Sequence, residues 1–120
     1  MSLRRTVFAV LVAVPFSGCG GQHDAPVKRE QSYQSLAKAD EAFAAKKYAD
    51  AIPIYDVTLA KGGVQADVLA QAYLKRAVCK IETGDLAGAE ADLSMADQGG
   101  AVGDDYTEAQ KRLKEKSASR

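Results

Sequence analysis

The chain has 120 residues, enough for one domain, and 47% of them are hydrophobic. Much of that content is alanine and there is no tryptophan, a balance that suits closely packed helices better than sheets. Sixteen basic residues face sixteen acidic ones. Without Arg4 and Arg5, which fall in a segment expected to be removed, fourteen face sixteen and the net charge is near −2. No concentrated basic face results, and nucleic acid is excluded as a partner.

The first element is a targeting segment. Met1–Arg5 carries two arginines, and Val7–Phe16 follows as ten residues without a polar side chain. At about 1.5 Å per residue this run is roughly half a bilayer span, the length of a signal-peptide core. Phe16-Ser17-Gly18-Cys19 comes next and resembles the lipobox of bacterial lipoproteins, with Phe16 where leucine is more usual. The resemblance implies cleavage before Cys19 and diacylglycerol on its thiol. Residues 1–18 are then a cleaved signal, and Cys19 is the lipidation site and the membrane contact. Gly20 after the cysteine, by analogy with the sorting rule of enteric bacteria, favours the outer membrane facing the periplasm. Two or three acyl chains, at about 0.8 kcal/mol per buried CH₂, hold such a chain on its membrane. Residues 19–31 contain two glycines and a proline without apolar periodicity and are expected to form a flexible tether.

Helical spacing begins after the tether. Shifting the chain by 38 residues against itself sets Leu36 on Leu74, Ala39 on Ala77, Phe43 on Ile81, Tyr48 on Leu86, Ala51 on Ala89 and Tyr55 on Leu93. Self-similarity of this length marks stacked supersecondary units. Each unit holds two helices. Leu36, Ala39 and Phe43 form one stripe, and Tyr48, Ala51, Ile52, Tyr55 and Leu59 a second, stopped by Gly62-Gly63. Leu74, Ala77, Val78 and Ile81, then Leu86, Ala89, Leu93 and Ala96, repeat the pattern around the Gly84-Asp85 turn, with Gly99-Gly100 as the exit. A last helix is expected from Asp104 or Asp105 to about Lys116, with Tyr106, Ala109 and Leu113 on its apolar side. Its acidic start and basic end suit the helix dipole. The fold class is therefore all-α: two antiparallel helix pairs over about 32–63 and 70–101, and a capping helix over about 104–117.

Tyr73-Leu74-Lys75-Arg76-Ala77, followed by Gly84-Asp85-Leu86-Ala87-Gly88-Ala89-Glu90-Ala91-Asp92-Leu93 and Ala96, resembles the tetratricopeptide repeat. The small residues there allow close approach of paired helices. Arg76 and Asp92 match a subgroup in which they face each other as an ion pair, worth little if exposed. The first unit departs from the pattern: Lys46-Lys47 replaces the turn glycine, Thr58 the last alanine, and Pro53 enters the second helix. The 38-residue spacing exceeds the family period by about four.

The resemblance implies a protein-interaction scaffold whose first helices line a groove. Carried over, the partner-binding positions are Leu36, Asp40, Phe43, Leu74, Val78 and Ile81. The lysines and asparagines that clamp a peptide carboxylate in one subgroup are missing from them. In so short an array these residues also suit a core. Chemistry is sparse elsewhere. His23, the single histidine, lies in the tether, where a ligand or general base is not held in place. No activated nucleophile, phosphate loop or carboxylate pair is legible, so no catalytic residue, metal site or cofactor is expected. Cys79, beside Val78 and Ile81, suits a small buried thiol. The expected function is a membrane-anchored, non-catalytic interaction module of the bacterial cell envelope with an envelope protein or peptide partner. The alternative is a structural lipoprotein that self-associates as a homo-oligomer.

Overall fold

The computed structural model describes residues 20–120, with side chains from residue 28 onward. The segment expected to act in targeting, residues 1–18, and Cys19 lie outside the described residues. Five helices and no strand occur among the described residues: α1 (Gly20–Ala44), α2 (Tyr48–Lys61), α3 (Ala66–Thr83), α4 (Leu86–Gln98) and α5 (Asp104–Ala118). No helix there is long and apolar enough to cross a membrane.

The 38-residue register governs burial. Leu36 and Leu74, Ala39 and Ala77, Ala51 and Ala89, Tyr55 and Leu93, and Thr58 and Ala96 are buried in pairs. Alanine without exposed surface at the centre of each hairpin lets the two backbones approach closely, so packing density comes from proximity rather than from large side chains. Thr58 can stand where the second unit has alanine because its hydroxyl donates to the carbonyl of Ile54 at 2.9 Å, leaving no unpaired polar group.

Helix α3 joins the two units. One side sends Ala72 and Cys79 into a core with Leu36, Ala39, Ala51 and Tyr55. The other sends Ala70, Leu74, Ala77 and Ile81 into a core with Ala89, Leu93, Ala96 and Ala109. Only residues 62–65 separate α2 from α3, which starts at Ala66 and runs for 18 residues. Val68, in its first turn, packs on the first core.

Turn geometry repeats as faithfully as burial. Lys46 N–H bonds to Phe43 O and Lys47 N–H to Ala42 O, as Gly84 N–H does to Ile81 O and Asp85 N–H to Lys80 O. Both turns therefore need a left-handed residue at the same place, and the chain supplies Lys46 at φ 61° and Gly84 at φ 94°. Pro53 stays within α2 on its exposed side; the carbonyl it leaves without a donor is that of Ala49, in the first turn.

The tether expectation does not hold from Gly20 onward, where α1 is already helical. Val27–Gln31 reads Val-Lys-Arg-Glu-Gln, mostly strong helix formers, and runs without a breaker into the packed turns beginning at Ser32. Helix propagates outward from a packed nucleus at little further cost. Residues 28–31 are exposed, a Gln34–Glu30 side-chain bond of 3.1 Å supports that turn, and Ser32 is the first buried residue among those whose side chains are described.

Candidate functional site

Of the six candidate partner-binding residues, Leu36, Leu74 and Ile81 are core, at 8%, 4% and 0% exposure. Asp40, Phe43 and Val78 are half-buried. Asp40 is engaged: its Oδ1 accepts a 2.6 Å hydrogen bond from the Tyr55 hydroxyl, and its Oδ2 lies 3.0 Å from Lys75 Nζ. It ties α1 to α2 and α3 rather than standing free. Burial, reinforced by the bond to Asp40, pushes the Tyr55 hydroxyl well above the usual tyrosine pKa.

Phe43, Leu74 and Val78 come together at a cleft of about 290 Å³ between the first hairpin, α3 and α5. Phe43 meets Tyr48 edge to face, with ring centroids 6.0 Å apart, which fixes one wall. Ala109 of α5 closes another side. The rim is charged and mostly paired: Lys75 pairs with Asp40, and Arg112 pairs with Glu108 and Glu82 at 3.2 Å each, while Asp105 takes part in no ion pair among the described residues. An apolar floor inside such a rim suits one or two apolar side chains of a partner, with the Asp105 carboxylate as the rim charge that has no counterpart among the described residues.

Behind the cleft, Arg76 organises the seam between α2, α3 and α4. Its Nε and Nη2 donate to the two oxygens of Asp92 at 2.8 and 2.6 Å, and its Nη1 donates to Asp56 at 2.7 Å. Lys80 adds a second cation to Asp92 at 3.1 Å, and the guanidinium lies 5.5 Å from the Tyr73 ring centre. The expected ion pair is present, but Asp92 is 3% exposed, so it is no surface pair. The Asp92 carboxylate, held bidentately by Arg76 and by Lys80 as a second cation, is a buried pair whose loss leaves charge at the seam only partly compensated, by Asp56 on one side or Lys80 on the other. The hydrogen bond to Asp92 holds the Arg76 pKa above its ordinary value.

No known protein family, characterised protein or solved structure matches the chain. What the arrangement can do therefore follows from its own geometry. Cys79 is fully buried, and burial pushes its thiol up to about 12, so it stays protonated and unreactive at neutral pH. No group of three His, Cys, Asp or Glu side chains that could hold a metal occurs among the described residues.

Sequence reasoning missed Asp56, which joins the Arg76 network, and the contributions of Gln71, Glu108 and Arg112 to the cleft. The position in the second unit equivalent to Asp56 is Ser94, so the repeat gave no signal for it. The α5 residues line the cleft only because Ala109 faces inward; Ala109 was legible, but the angle of α5 was not.

Proposed function

We propose that this chain is a lipid-anchored, non-catalytic interaction module of the bacterial cell envelope, related to tetratricopeptide repeats. It holds an envelope partner by an apolar side chain seated in the cleft between the hairpins and α5. The observation that carries this reading is the cleft itself: Phe43, Leu74 and Val78, groove positions by the repeat resemblance, line one apolar recess with a largely paired rim. The ordered signal pattern ending at Cys19 supports the anchor, and the doubled hairpin in 38-residue register supports the repeat kinship.

Two measurements test the reading. The intact mass of the chain recovered from membranes is expected to begin at Cys19 and carry two or three acyl chains; an unmodified chain starting at Met1 contradicts the anchor. Affinity capture from membranes is expected to retain an envelope protein on the wild type and to lose it on Phe43→Ala, with helical content unchanged by circular dichroism. Equal retention by the two removes the cleft from the reading.

A further inference from the structure

Helices α3 and α5 give the cleft matching walls. Each lines it with residues at i, i+3, i+4 and i+7, from Gln71 to Val78 on α3 and from Asp105 to Arg112 on α5. Both helices run antiparallel to α4, and so parallel to each other. The Gln71–Asp105 end of the cleft is therefore about 10 Å from the Val78–Arg112 end, the rise of seven helical residues.

The two ends offer a guest different things. Phe43 and Val78 supply apolar surface at one, and the cation there, Arg112, is already held by Glu108 and Glu82 at 3.2 Å each. Lys75, the other cation of the lining, lies 3.0 Å from Asp40. At the opposite end Asp105 is exposed and takes part in no ion pair among the described residues. An incoming anion meets only cations that already have partners, whereas an incoming cation meets an open carboxylate beside the apolar floor. The helix dipole favours an acidic residue at the start of α5, and Asp104 serves it as well as Asp105 does; of the two, Asp105 alone lines the cleft.

We propose that the occupant of the cleft is a basic segment of the partner: an apolar side chain seated among Phe43, Leu74 and Val78, and a lysine or arginine placed on Asp105. The inference rests on the reading of the cleft as the binding site and adds the charge of what binds there. Up to about two helical turns or three extended residues separate such an anchor from its cation.

Selection of random dodecapeptides on the full chain, immobilised in mild detergent, tests the proposal. Peptides retained by the wild type are expected to join an apolar residue to Lys or Arg, with basic over acidic residues enriched several-fold against the unselected library. By fluorescence anisotropy, Asp105→Lys is expected to bind such a peptide about fivefold more weakly, since an exposed pair gives way to repulsion. Asp104→Lys, which changes the start of α5 in the same way but lies outside the lining of the cleft, is expected to bind it as the wild type does. Retained peptides without charge bias, acidic peptides, or equal weakening by the two variants overturn the proposal and leave the cleft in place as a binding site. Retention no greater than that of Phe43→Ala overturns the proposal and the reading beneath it.

Discussion

The hairpins α1–α2 and α3–α4 share a buried skeleton and differ at their ends. Leu36, Ala39, Ala51, Tyr55 and Thr58 answer Leu74, Ala77, Ala89, Leu93 and Ala96 position by position. Around that common frame, the second hairpin has Gly84 in the left-handed turn position where the first forces Lys46. It has Asp85 capping α4 through a 3.0 Å bond from Gly88 N–H, where Lys47 gives α2 no side-chain cap. It carries the Arg76–Asp92 pair, whereas Lys38 and Ile54 stand at those positions in the first. Small residues at the crossing set the architecture, and turn chemistry with one buried ion pair sets how firmly each copy is held.

The largest expected effect breaks the comparison at Asp92. Asp92→Ala leaves Lys80 without a partner and Arg76 with Asp56 alone at a buried seam, and is expected to lower stability by about 3 kcal/mol in urea unfolding. Lys75→Ala removes only the half-exposed pair to Asp40 and is expected to cost under about 1 kcal/mol. Equal losses would mean that the second hairpin owes nothing special to its pair.

The turns sharpen the comparison at a smaller scale. A left-handed conformation costs a non-glycine residue roughly 1 kcal/mol, so Gly84→Ala is expected to lower the folding free energy by about that much and Lys46→Gly to raise it by a similar amount. Asp85→Ala and Lys47→Asp form a second opposed pair of about 1 kcal/mol each. Thermal unfolding of the four variants checks the signs; a destabilising Lys46→Gly would show that the first turn is held by something other than backbone preference.

The seam between the hairpins gives the smallest effect over the pH range in which folding is readily followed. Cys79 titrates from an ordinary value of 9.0 when unfolded and is pushed up to about 12 when folded. Its folded pKa is raised, so its contribution is fully present below pH 9 and lost as pH climbs from 9 toward 12. Tm is expected to fall through that window, and less steeply in Cys79→Ala. An unchanged slope would place the alkaline sensitivity elsewhere, with Tyr55, whose pKa is also raised, as the next residue to vary.

Much of the fold was legible because it is written in spacing. The 38-residue recurrence gave the hairpins, Gly62-Gly63 and Gly99-Gly100 gave their stops, Gly84-Asp85 the turn of the second, and Ala109 the inward side of α5. What spacing could not carry is the end of α1. Glycines and a proline suggested a break, whereas helix extends through residues 20–31 from the packed turns. The cleft was half legible: Phe43 and Val78 followed from the repeat, but the depth at which Leu36 and Ile81 lie depends on α2 and α4 packing over them, and Asp40 turned out to be held by Tyr55 and Lys75, partners fifteen and thirty-five positions away in sequence. Amphipathic periodicity reports which side of a helix faces inward, not how far a neighbour covers it.

The most direct test of the central claim places a photoreactive side chain at Gln71, an exposed position on the cleft rim, and another at Ala60, exposed on α2 outside the lining of the cleft. Illumination of intact cells is expected to give an adduct with an envelope protein from position 71 and little from position 60. Equal adducts from both positions, or none from position 71, would contradict a module that works through this cleft.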